Sequence, residues 1–155
     1  MRETVTREKM KDGSVLLRAG NSMCQMIDLG KGVSLHTCRG IVLAAFASHV
    51  VADGTRQLEA HERWVVMVDM LDSKSFETGF RETLNNWLKE HPGATAHLLI
   101  KSKLLEMAVS LANFFTGRGA AKAYTRVEEW IGAGKREVIN FRRRPISDAL
   151  SGPPV

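Results

Sequence analysis

The sequence predicts an α/β domain on a mixed, mostly parallel sheet with three to four helices. Three observations carry that prediction. From residue 64 onward, short apolar runs alternate with amphipathic stretches in the order strand-helix-strand-helix-strand-helix. Short links between such elements demand right-handed crossovers and parallel neighbours. Before residue 40 the pattern differs: short runs are separated by glycines, the signal of hairpin-linked strands that join the same sheet. The chain has 155 residues, 44% hydrophobic and 25% charged, which is ordinary usage for one domain with its own core.

Each element has its own reason. Residues 14–18 (SVLLR) form an apolar run between Gly13 and Gly20, and residues 23–29 form a second, stopped by Gly30 and Gly32. Residues 33–38 alternate Val33, Leu35 and Thr37 against Ser34, His36 and Cys38, the period of a strand. After Gly40, the residues Val42, Phe46, Val50 and Leu58 fall at multiples of four and predict an amphipathic helix, which Gly54 weakens. Residues 64–70 (WVVMVDM) read as a strand covered on both faces, and 72–78 as a polar loop. Phe80, Leu84, Trp87 and Leu88 then mark a helix ended by His91-Pro92-Gly93. Residues 96–100 form another buried strand. Ser102 is a good N-cap for a helix with Leu104, Ala108, Leu111 and Phe115 on one face, Met107 in its middle and Gly117 at its end. A strand over 121–125 and a helix over 127–131 complete the pattern.

Charge divides the chain. Residues 135–144 hold five basic residues against Glu137, a net of +4 of the chain's +5, which leaves +1 for the rest. The domain is therefore expected to span 1–134, with 135–155 a basic, mobile tail dispensable for folding. The opposing expectation is that Val138, Ile139 and Phe141 pin this segment to the body or to a second copy, as in a homodimer. Phe141 is the only aromatic among the arginines, which argues against nucleic acid as a partner.

No apolar run approaches the roughly 20 residues of a membrane span, and residues 1–12 carry no apolar targeting core; both point to the cytoplasm. Cys24 and Cys38 read as buried free thiols. The five histidines show no ligand spacing, and no carboxylate pair or nucleophile elbow is present. Neither a metal nor a cofactor is implied, and enzyme activity is the least supported reading.

In such a sheet, ligands and partners meet the carboxyl ends of the strands, where helix N-termini expose N–H groups. Here these are residues 69–79 (DMLDSKSFETG), 101–103 and 125–126. Asp69 follows an apolar run and is positioned to bond loop N–H groups. Thr78 stands where a hydroxyl caps a helix. Once phosphorylated, it would add about −1.5 to −2 charges where the helix dipole accommodates them, against the opposing charges of Glu77 and Glu82.

Residues 64–79, the helix behind them, the strand HLLIKS, the helix LLEMAVSLANFF and the strand AKAYT together resemble the STAS domain, the fold of bacterial anti-sigma factor antagonists. The resemblance covers about residues 33–131. In that family a loop reading Asp-Ser-Ser-Gly opens the helix after the buried strand, and its first Ser is phosphorylated by a partner kinase. Ser75-Phe76-Glu77-Thr78-Gly79 stands in that place, with Glu77 for the Asp and Thr78 for the phosphorylated Ser. The second Ser is absent and the loop is one residue shorter. The resemblance implies a non-catalytic regulatory domain in bacterial signalling. Its partner is an anti-sigma-type kinase or another signalling protein, docked around Ser75, Glu77, Thr78 and Gly79 with Asp69 and Ser102 nearby. The second reading is a small-molecule or lipid sensor using apolar space between the first helix and the sheet.

Overall fold

A computed structural model describes residues 4–107 and 120–146, and only the backbone of 105–107. Seven strands form one sheet in chain order: β1 (Thr6–Lys9), β2 (Val15–Ala19), β3 (Ser22–Gly30), β4 (Val33–Val42), β5 (Trp64–Phe76), β6 (Ala94–Leu99) and β7 (Ala121–Tyr124). β1 to β4 are an antiparallel meander, and β4 to β7 run parallel. The sheet is thus mixed, with as many antiparallel as parallel pairings among the described residues. A 3₁₀ turn (Ala44–Phe46) leads into α1 (Ala47–His61); α2 (Thr78–Glu90), α3 (Ser102–Met107) and α4 (Val127–Lys135) follow. Ala108, Leu111, Phe115 and Gly117, expected on the third helix, lie outside the described residues, as does the side chain of Met107.

The alternation within β5 explains its nearly unbroken apolar run. Val66, Val68 and Met70 pack with Val50 of α1 and with Phe80, Leu84 and Leu88 of α2. Val65 and Met67 face the other way, onto Trp130 of α4 and Phe141. A strand covered on both faces has no polar side to show in sequence. Between the helices and the sheet, Gly54 is a packing requirement: a Cβ there would lie 2.7 Å from ring atoms of both Trp64 and Trp87.

Three boundaries differ from the sequence reading, each for a backbone reason. β1 carries only exposed or half-buried residues, and its charges suit a sheet edge that must not pair with another chain. The helix expected after Gly40 starts later, because β4 continues to Val42. The polar loop expected over 72–78 is mostly strand: β5 runs to Phe76, paired with β4 as far as Val42↔Phe76. Two register shifts, between Thr37 and Arg39 and between Gly40 and Ile41, place extra residues in β5. Such bulges twist a strand and re-aim its side chains.

The segment after α4 lies against the body as far as Ile146. Phe141 stacks edge-on to Trp130, with ring centroids 5.0 Å apart, and Ile146 is buried with Leu16 and Met23. Thr37 donates its hydroxyl to the Arg144 carbonyl at 3.1 Å. These contacts favour the pinned alternative for Phe141, whereas Ile139 points into solvent.

Candidate functional site

The bulged half of β5 delivers the chain to the N-terminus of α2. Glu77 is the extended residue before the helix, and its carboxylate does not cap α2. It reaches across to accept the Ala44 N–H at 2.7 Å, while its own N–H donates to the Val42 carbonyl at 2.9 Å. The Ala44 N–H opens a 3₁₀ turn and has no partner within it, so an anionic acceptor there satisfies an orphan donor. Gly79 permits this closeness: a Cβ at that position would lie 2.9 Å from the Ala44 Cβ.

Thr78 is the first residue of α2 and is exposed. Among the described residues its hydroxyl has no hydrogen-bond partner. Ser75 is exposed beside it in sequence and pairs in register with Ile41, itself 41% exposed. The structure therefore brings Ile41, Ala44, Ser75, Glu77, Thr78 and Gly79 together at one end of the sheet.

Asp69 and Ser102 are not part of that cluster. Asp69 shares the face of Val65 and Met67, opposite to the face that α2 covers. It sits inside β5, accepts the Leu71 N–H at 3.0 Å and pairs with Arg143. Burial pushes its carboxyl above the ordinary range, more than these two donors pull it down. Ser102 opens α3 and is exposed beyond the end of β6. Ser73, next to this region, is fully buried and its hydroxyl has no partner among the described residues.

A second polar cluster escaped sequence reasoning. Asp53 of α1 accepts from Ser34 Oγ at 3.1 Å and faces His36 Nε2 at 3.2 Å, and Arg56 pairs with it from the surface. Trp64 Nε1 donates to the same Ser34 Oγ at 3.0 Å. The carboxylate can only accept, so Nε2 carries a ring proton in this arrangement, and the buried Nδ1 has no partner among the described residues. Burial raises the Asp53 carboxyl, but His36, Arg56 and Ser34 together hold it below its ordinary range. The available signal was a lone Asp amid apolar helix positions, opposite Ser34 and His36 on one strand face.

His36 and Cys38 share that strand face, yet they turn to different partners. Cys38 lies directly across from Cys24, with sulfurs 3.9 Å apart. The Cys24 contact and burial push the Cys38 thiol well up, which keeps it protonated. A shallow groove open to solvent lies between α2 and β5–β6, lined by Met70, Phe76, Phe80, Arg81, Leu84, Leu98 and Ile100, with a cavity volume of only about 20 Å³. The space expected between the first helix and the sheet is instead filled by Trp64 and Trp87 against Gly54.

No family model and no curated protein matches the sequence. Among solved structures, the chain is similar to the anti-sigma factor antagonist SpoIIAA in its unphosphorylated form. The identity is 10%, over 76% of this chain and 99% of that one, with a TM-score of 0.51. An uncharacterized protein of the DUF3478 family from Shewanella loihica PV-4, with a SpoIIAA-like fold, covers 86% of this chain and 95% of its own at 11% identity and a TM-score of 0.47. The chain has a SpoIIAA-like fold, the fold that the resemblance of residues 33–131 to STAS domains implied.

Proposed function

We propose that this domain is a non-catalytic regulatory module of bacterial signalling that docks a protein partner around Thr78, and that phosphorylation of Thr78 switches the docking. The observation that carries this reading is the Thr78 hydroxyl, exposed and without a partner among the described residues on the first residue of a 13-residue helix. A phosphate there gains the helix N–H groups and the positive end of the dipole. Arg81 lies one turn on, where an Arg–phosphate contact adds to this, and Glu82 opposes it. Ile41 and Ala44 supply apolar area beside the hydroxyl, so a partner gains from the surface and a phosphate changes its charge. The SpoIIAA-like fold supports an anti-sigma-type kinase or another signalling protein as the partner, and the cytoplasm as the place.

The test is phosphosite mapping by mass spectrometry of the chain purified from its native cells, with capture of partners by wild type, Thr78→Ala and Thr78→Glu. The expected result is phosphate on Thr78 and a partner retained by wild type and Thr78→Ala but lost by Thr78→Glu. An unmodified Thr78 and equal capture by all three would overturn the reading. A second reading, a small-molecule or lipid sensor, rests on the groove between α2 and β5–β6 alone, whose volume of about 20 Å³ would have to open for a ligand. A co-purifying ligand lost in Leu84→Trp would support it.

A further inference from the structure

The turn that follows α4 is closed on itself. Glu137 and Val138 both donate their N–H to the Gly134 carbonyl, at 3.0 and 2.9 Å, and Phe141 N–H donates to the Val138 carbonyl at 3.0 Å. The Phe141 ring rests on Gly134 so tightly that a Cβ there would lie 2.1 Å from it. The two ends of the segment are thereby held together and its apex projects. At the apex stands Ile139, 86% exposed, the most exposed large apolar side chain among the described residues. Close to it in sequence, Lys135, Arg136 and Arg142 are exposed, with Arg144 further along the chain beside Thr37, and none of the four forms an ion pair among the described residues. The remaining charges of the segment are spoken for: Glu137 pairs with Arg63, and Arg143 turns inward to Asp69 and Asp72.

From this sequence of an exposed isoleucine at the apex of a closed turn with exposed cations before and after it, we infer that residues 135–144 form a contact for an anionic lipid surface. Each Lys or Arg held near an anionic leaflet raises binding about five-fold, and the effect is screened by salt. An apolar side chain at the centre of such a patch dips into the boundary between headgroups and acyl chains. That arrangement suits peripheral attachment, and no helix among the described residues is long and apolar enough to cross a membrane. Nucleic acid is the lesser fit. A nucleic-acid groove adds aromatic platforms to its cations, but Phe141, the one aromatic here, is buried in the core, and Ile139 has no apolar counterpart along a phosphate backbone. The inference is independent of the reading of Thr78, which lies on another part of the molecule.

The test is sedimentation of the full chain with vesicles of phosphatidylcholine alone and of phosphatidylcholine with phosphatidylserine, at low and high salt. The expected result is retention on the phosphatidylserine vesicles only, falling roughly ten-fold at high salt. Ile139→Ser should weaken it by about ten-fold, and Arg136→Gln with Arg142→Gln by about 25-fold, two five-fold steps. All three sites are exposed, so the variants should melt and elute as wild type does. Equal retention on both vesicle types, no retention on either, or full retention of Ile139→Ser would overturn the inference. Salt-sensitive binding to duplex DNA without vesicle binding would overturn it in favour of nucleic acid.

Discussion

Arg143 donates its Nε–H to Asp69 Oδ2 at 2.5 Å and reaches Asp72 Oδ2 at 3.3 Å, so a residue near the end of the described chain neutralises a carboxylate with 0% exposure inside the central strand. Removing one partner of a buried pair costs about 3–5 kcal/mol, because the other charge is left buried and unpaired. The Arg143 side chain is a quarter exposed, so water partly replaces it, and the expected cost of Arg143→Ala is about 2 kcal/mol. In an Asp69→Asn background no anion is stranded and the same substitution should cost much less. Urea unfolding of the four proteins measures this coupling. Equal costs in both backgrounds would show that the pair is not the source.

Phe141 joins that segment to the core by packing rather than charge. It is 4% exposed, against Trp130 and Gly134. Phe141→Ala should cost about 3–5 kcal/mol, the range for emptying a buried aromatic site, whereas Ile139→Ala should stay within about 0.5 kcal/mol. A chain ending at Gly134 loses Phe141, the Arg143 pair and the contact of Ile146 with Leu16 and Met23 together, so it should melt lower than Phe141→Ala. An unchanged melt of that shortened chain would mark the segment as dispensable.

What the sequence made legible follows from where the stabilisation lies. Residues 64–70 announce a strand because both faces are covered and every position but Asp69 is apolar. The start of α2 is legible because Phe80, Leu84 and Leu88 repeat on one face. The rest of β5 was hidden because residues 71–76 are held by backbone pairing to β4 across two bulges, which leaves no alternation in the side chains. Asp53 was hidden because its partners Ser34 and His36 are 19 and 17 residues away. Phe141 gave no periodic signal: one aromatic among arginines becomes a core residue only once Gly134 and Trp130 are in place. Asp69 and Thr78 sit nine positions apart in one stretch, yet Asp69 turns inward to Arg143 from within β5 while Thr78 opens α2 in solvent.

Gly54 allows two effects of opposite sign to be compared. Glycine in a helix interior costs about 1 kcal/mol relative to alanine, so propensity alone would make Gly54→Ala stabilising. Its Cβ, however, would lie 2.7 Å from both Trp64 and Trp87, whose rings meet edge-on at 5.5 Å. Overpacking of this kind costs about 1–3 kcal/mol, and Trp64 is fully buried with its indole N–H fixed to Ser34, so it has little room to yield. Gly54→Ala should therefore be net destabilising, by about 1 kcal/mol in thermal unfolding. A raised melting temperature would show that the Trp87 ring moves aside freely.

The two buried aspartates should respond to acid in opposite directions. Asp53 has its carboxyl held below the ordinary value of 3.8: burial raises it, but His36, then Arg56 and Ser34, outweigh burial. A depressed folded value means that its contribution is complete above 3.8 and is lost as the pH falls through the folded value. Asp69 is raised above 3.8 by burial, so its ionisation opposes folding. That penalty is absent below 3.8, sets in as the pH rises, and is complete above the folded value. Asp53→Asn should cost about 2 kcal/mol at neutral pH, since Ser34 and His36 lose a charged acceptor, and the gap to wild type should close as the pH drops below 3.8. Asp69→Asn removes the penalty, so relative to that variant wild type should improve as the pH falls toward 3.8. Urea midpoints for the three proteins, from neutral pH to about pH 3, separate the two slopes. Parallel curves for wild type and Asp53→Asn would mean that the carboxylate is not tuned by His36. A wild-type curve that falls away from Asp69→Asn in acid would mean that Arg143 outweighs burial, and that the pair holds Asp69 ionised in the folded chain.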